Sequence, residues 1–187
     1  MSIVASLHKL TYEDLRHMPE DGKRHEIIEG EHHVTPSPAS KHQFIVANLL
    51  TIVGPFVREH ELGRLAGAPL DVVLTDTDVV QPDLLLVAQA HLDRITEENL
   101  QGSPDLAVEI LSESTRRRDE VTKRHLYERH GVPEYWIVDP VVETLKVFRP
   151  GEDGRYQRAA ELSLETADVL TSPLFPGLEI PLAELFE

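Results

Sequence analysis

Two acids sit inside the most apolar stretches of the chain, and that placement limits the folds open to it. Asp83 stands in Val79-Val80-Gln81-Pro82-Asp83-Leu84-Leu85-Leu86-Val87, and Glu109 in Asp105-Leu106-Ala107-Val108-Glu109-Ile110-Leu111. Both runs have the length and composition of buried strands. A carboxylate carried into such a strand loses its hydration and needs a cation or several donors in exchange. The fold must therefore bring counter-charge to both. If the strands are neighbours, the acids form a negative pocket suited to a divalent metal.

The rest of the pattern surrounds these strands with helices. Thr11-Tyr12-Glu13-Asp14 has the spacing of a capped helix start, and Pro19 ends that helix. Arg24 to Ile28 and Glu31 to Thr35 read as a hairpin joined at Glu29-Gly30. A helix is predicted from about Ser40 to His60, with Ile45, Leu49, Val53 and Phe56 as its buried stripe. Gly54-Pro55 should kink or interrupt it. Leu65 to Leu74 and Val79 to Val87 read as one antiparallel hairpin across the polar turn Thr75 to Asp78. Pro82 donates no ladder bond, so its strand is expected to be an edge or bulged there.

Asp105 to Leu111 is the most apolar segment and is expected at the centre of the sheet. A helix from about Arg117 to His130 follows and stops at Gly131 and Pro133. Glu134 to Asp139 and Leu145 to Phe148 make a second hairpin, and Pro181 to Phe186 a last helical turn. The order predicts an α/β or α+β fold, a mixed sheet flanked by helices. No repeat or flexible linker divides residues 1–187, so one domain is expected.

The chain has no cysteine, which excludes disulfides, zinc-thiolate sites and a cysteine nucleophile, and a reducing cytoplasm is the simplest location. No apolar run reaches the about 18 residues of a membrane helix, and Met1 to Ser6 do not read as a signal peptide. The formal net charge of -15 opposes binding to nucleic acid, since phosphate attraction normally needs a basic surface. Binding depends on local fields, however. Arg116, Arg117, Arg118, Lys123, Arg124 and Arg129 form one basic stretch, broken by Asp119, Glu120 and Glu128. It reads either as a solvated helix face or as a phosphate contact.

Strand alternation puts Ala107, Glu109 and Leu111 on one face and Leu106, Val108 and Ile110 on the other. In the following helix, Asp119, Lys123, Leu126, Tyr127 and His130 share a stripe, so Lys123 points inward with Leu126 and Tyr127 and needs an acid, Glu109 being the obvious one. Each group also has a purely structural reading: Glu109 in an internal ion pair, Asp83 bonded to turn amides, Lys123 with its stem on the core and its ammonium in solvent. Together, two acids and a lysine are the minimum apparatus for metal-assisted phosphodiester hydrolysis. His32-His33 reads as a solvated strand end rather than a metal site.

The segments RHEIIEGE (24–31), SPASKHQ (37–43), VVQPDLLLV (79–87), PDLAVEILSESTRRRDEVTKRHLYERHGVPEYWIVDP (104–140) and LTSPLFPGLEIPLAELF (170–186) carry a resemblance. In them the chain is similar to the Uma-two family, grouped with the restriction-endonuclease-like PD-(D/E)XK superfamily. The resemblance implies a restriction-endonuclease-like core and a metal-dependent endonuclease acting on nucleic acid, DNA first. It implies Asp83 and Glu109 as the acids holding Mg²⁺ or Mn²⁺, and Glu26 and His42 beside the same pocket. It departs at Leu111, where the superfamily pattern has lysine; Lys123 on the next helix is similar in placement to lysines that some branches move there. Arg116, Arg117 and Arg118 would meet phosphate at the mouth. No membrane partner is expected, and a homodimer is implied by resemblance alone. The rival reading is an inactive nuclease fold serving as a binding or assembly module.

Overall fold

The computed structural model describes residues 9–19 and 21–187. The opening segment read above for a signal peptide lies outside the described residues. Helix α1 (Tyr12–Arg16) is capped as its spacing predicts: the Thr11 hydroxyl accepts from the Asp14 amide, and the Asp14 carboxylate accepts from the Thr11 amide at 2.8 Å. Strands β1 (Arg24–Ile28) and β2 (Glu31–Thr35) form the predicted hairpin. It turns through Glu29 and Gly30 with φ of 55° and 83°, the two left-handed residues that a tight hairpin turn requires.

Helix α2 (Ser40–Glu59) buries His42, Ile45, Leu49, Val53 and Val57. Phe56, expected in that stripe, is only half-buried, because the step after Val53 is four residues rather than three. Pro55 lies within the helix without ending it.

The long hairpin expected from Leu65 to Val87 divides in two. Its first arm becomes β3 (Gly63–Gly67) and β4 (Val72–Thr75); its second becomes β5 (Asp78–Val80) and β6 (Leu84–Ala88). Pro69 and Pro82 fall at the breaks. Neither has an amide hydrogen for a ladder, so the chain leaves one sheet there and enters another. Pro82 thus ends a strand instead of marking an edge.

After a 3₁₀ turn at Gln89–Arg94 come β7 (Leu100–Gln101) and β8 (Leu106–Ile110). A π-helical turn, Arg118–Lys123, then runs directly into α3 (Arg124–Arg129). Strands β9 (Glu134–Asp139), β10 (Thr144–Pro150) and β11 (Tyr156–Ser163) follow, then β12 (Val169–Leu170), β13 (Ile180–Pro181) and α4 (Leu182–Phe186). One sheet has the order β2-β1-β5-β4-β7 and the other β11-β10-β9-β8-β6-β3, with β12 and β13 paired separately. β8 is central, antiparallel to β6 and parallel to β9. The fold is the expected mixed α/β arrangement.

Each face of the larger sheet packs a different layer. Leu84, Leu86, Leu106, Val108 and Ile110 meet α2, α4 and the C-terminal segments. Leu85, Val87, Ala107 and Leu111 meet α3 and the smaller sheet. Glu109 belongs by alternation to the second face, and so does Asp83, two residues before Leu85.

Candidate active site

The β6–β8 ladder ends at Leu84 opposite Val108; carried one step beyond it, the register would set Asp83 opposite Glu109, and the Ile110 amide next to Glu109 does donate to Asp83. Opposed residues on one face of an antiparallel pair have Cβ atoms about 5 Å apart. Both acids line one cleft of about 730 Å³, and both are almost wholly buried, Asp83 at 3% exposed and Glu109 at 2%.

Asp83 is held from three sides. Its Oδ2 accepts from the Ile110 amide at 2.8 Å and lies 3.0 Å from His42 Nε2, at the start of α2. Its Oδ1 lies 2.8 Å from Arg24 Nη2. Burial works to raise its pKa, but the His42 contact, the Arg24 charge and the Ile110 amide outweigh it and bring the carboxyl down to about 2. Arg24 reaches this point from β1 and also donates to the Gln81 carbonyl.

Glu109 meets the helical side. Its Oε1 accepts from Lys123 Nζ at 2.8 Å and from the Tyr127 hydroxyl at 2.9 Å. Lys123 is 1% exposed and is also 2.7 Å from Glu26 Oε1 and 3.9 Å from Asp119 Oδ1. Its three acid neighbours outweigh the burial that works to lower its pKa, and they hold it above the ordinary lysine value. Glu26 accepts in addition from the Gln81 amide and lies 3.7 Å from Arg118 Nη2.

Asp119 and Lys123, four residues apart, share the inward side of a π-helical turn, and such turns recur at functional sites. Four buried carboxylates, Asp83, Glu109, Glu26 and Asp119, here face three cations, Arg24, Arg118 and Lys123. The negative excess is felt where desolvation is strongest. Burial, with the neighbouring acids, pushes Glu109 up to about 8 and Asp119 up to about 6 against the pull of Lys123.

Three buried carboxylate oxygens, Glu26 Oε2, Asp83 Oδ1 and Asp119 Oδ1, have no hydrogen-bond donor among the described residues, Asp83 Oδ1 being met by the Arg24 ion pair alone. Among the described residues no group of three or more His, Cys, Asp or Glu side chains is arranged to hold a metal ion. What the cluster offers is a pair of hard carboxylates on one face. Mg²⁺ commonly takes one or two protein acids and keeps waters or phosphate oxygens for the rest, so the donor set fits it.

Asp83, Glu109, Lys123 and His42 therefore line one cleft together with Arg118, while Glu26 lies fully buried behind it, paired to Lys123. Arg116 turns away to Asp139, at 2.6 Å, and Arg117 is exposed. His32 stacks on His25 with ring centroids 5.1 Å apart. Sequence reasoning gave no role to Arg24 or Asp119. Arg24 stands two residues before Glu26 on the same strand, hence on its face, and Asp119 stands one helical turn before Lys123; those spacings were the available signals.

The profile of the Uma2 family, described as "Putative restriction endonuclease", matches residues 12–183. Among solved structures the chain is similar to a "putative nuclease belonging to DUF820" from Anabaena variabilis, with a TM-score of 0.79 and 22% identity over 95% of this chain and 97% of that one. At that identity the likeness speaks for the fold. No curated protein matches the chain.

Proposed function

This chain belongs to the Uma2 family, and from that premise we propose that it is a divalent-metal-dependent endonuclease cutting phosphodiester bonds in DNA. The observation that carries the reading is that Asp83 and Glu109 line one cleft, with Lys123 bonded to Glu109. Asp83 and Glu109 are the residues that would hold Mg²⁺ or Mn²⁺. Bound there, the ion would acidify an attacking water and offset charge on the phosphoryl group.

The chain's own groups do the positioning. His42 and the Ile110 amide fix the Asp83 carboxylate, and Tyr127 and Lys123 fix Glu109. Glu26 anchors Lys123 from the other side, so the ammonium stays beside the acids and places positive charge where the phosphoryl group gains negative charge. Arg118, on the cleft wall and bonded to the Thr35 hydroxyl, would meet a phosphate oxygen. Homodimerisation, implied by the resemblance, belongs to the same proposal and is read by light scattering.

A second reading has its own support. Asp83 is matched by Arg24 and Glu109 by Lys123, so the ion pairs stand without a metal, as they would in a binding module. One experiment separates the two. Supercoiled plasmid and circular single-stranded DNA are incubated with the chain and Mg²⁺ or Mn²⁺. The enzyme reading expects metal-dependent cutting that falls by about a hundredfold or more in Asp83→Asn and in Glu109→Gln, with melting temperatures showing both variants folded. Cutting that survives both substitutions, or no cutting under any metal, rejects it.

A further inference from the structure

The two oxygens of Asp83 are treated differently. Oδ2 is taken, by the Ile110 amide at 2.8 Å and by His42 Nε2 at 3.0 Å, so an ion on this carboxylate has to use Oδ1. Oδ1 is buried and receives no aligned hydrogen bond from the described residues; it is met by the charge of Arg24, with Nη2 2.8 Å away. A buried oxygen left in that state is a natural seat for an ion. The hydrogen bonds to Glu109, from Lys123 and Tyr127, both go to Oε1, which leaves its other oxygen for the same ion. Burial works to lower the Arg24 pKa, but the charges of Asp83, Glu109 and Glu26 outweigh it and raise it. The guanidinium therefore feels both acids, as a divalent ion between them would.

Two cations on one buried carboxylate oxygen repel strongly, because little water is there to screen them. Mg²⁺ also keeps several waters, which need the space beside Oδ1 that the guanidinium fills. Of the two cations paired to these acids, Arg24 is the one with room to leave. Its side chain is 18% exposed, against 1% for Lys123, and it lines the cleft. Lys123 is held by Glu26 and Asp119 as well as by Glu109. Apart from Asp83, Arg24 is tied by one hydrogen bond, from Nη1 to the Gln81 carbonyl at 3.0 Å. An ion that must first displace a resident cation binds more weakly than the acids alone would hold it, by the cost of the displacement.

Resting on the metal-dependent reading of the same acids, we infer that Arg24 is a resident counter-ion that holds the metal's place on Asp83, so that metal entry requires its guanidinium to withdraw. The probe is Mn²⁺ alone, its free concentration read by electron paramagnetic resonance on the full chain at fixed ionic strength. Arg24→Gln binds Mn²⁺ about tenfold tighter than the parent chain, and adding Asp83→Asn removes the gain; melting temperatures check that the variants are folded. A mere brace acts in the opposite direction, since its loss loosens Asp83 and weakens the ion. Equal or weaker binding in Arg24→Gln overturns the inference and leaves the metal-dependent nuclease standing, and a gain that survives Asp83→Asn overturns it too. Parent crystals soaked in Mn²⁺ need no variant. An ion on Asp83 with Arg24 drawn off Oδ1 supports the inference; an ion on Asp83 with Arg24 still 2.8 Å away overturns it. A parallel cleavage assay keeps the two readings apart. Tighter Mn²⁺ binding in Arg24→Gln, with DNA cut by neither chain, retains the role of Arg24 and rejects the nuclease; Mn²⁺ held by neither chain rejects both.

Discussion

Lys123 places a full positive charge where almost no solvent reaches it, 2.7 Å from Glu26 and 2.8 Å from Glu109. Removing one partner of a buried pair costs far more than the pair contributes, because the other charge is left stranded. Lys123→Met strands two acids and is expected to cost about 3–5 kcal/mol in urea unfolding, with part recovered in the double variant carrying Glu109→Gln. A loss under 1 kcal/mol or so would mean that water reaches the ammonium after all.

The acids around it also fix a pH dependence. Glu109 at about 8 and Asp119 at about 6 are raised, mainly by burial, above their values in an unfolded chain. The folded chain holds protons there that the unfolded chain gives up, so the stability they contribute is present below about pH 4 and is lost as pH rises through 6 to 8. Asp83, lowered to about 2, acts in the opposite sense, and only in acid. Metal-free thermal melts should therefore show the midpoint falling from about pH 5 to pH 8, and Glu109→Gln should flatten the fall. A midpoint that is level in the parent chain contradicts the raised Glu109.

The strand elements bring Asp83 and Glu109 to one cleft, and the strand pairing has tight points. Gly63 opens β3 opposite Ala88 with φ of 144°, and a Cβ there would stand 2.1 Å from the Val87 carbonyl oxygen. No rotamer relieves a clash with backbone, so Gly63→Ala is expected to cost about 3 kcal/mol, measured by chemical denaturation; a neutral result would show that the β3–β6 edge pairs differently. Much of the element pattern was legible. The β1–β2 hairpin, the capped α1 and the inward stripe of Asp119, Lys123, Leu126 and Tyr127 follow from turn residues and spacing, which are local properties. What was not legible depends on distant partners. That Pro69 and Pro82 hand two strands from one sheet to the other is decided by which sheet has a place for them. That Arg24 meets Asp83 depends on β1 and the start of β6 converging at the cleft, and the π-helical turn has no residue signature of its own.

At the scale of the whole molecule, the charge of -15 acts against compactness through self-repulsion. Any salt relieves part of this by screening, so a rise of melting temperature with NaCl says nothing about a site. A divalent ion held by Asp83 and Glu109 adds a saturable contribution, since it binds the folded chain and not the unfolded one. At matched ionic strength Mg²⁺ is therefore expected to raise the midpoint above NaCl, by the equivalent of about 2.7 kcal/mol when its concentration is a hundred times its dissociation constant. The excess should grow from about pH 6 to pH 8, because the ion competes with the proton that Glu109 otherwise retains. Asp83→Asn should erase the excess and leave the response to NaCl intact. If Mg²⁺ and NaCl remain indistinguishable at matched ionic strength in the parent chain, the paired acids hold no ion, and the ion pairs with Arg24 and Lys123 are the whole of their role.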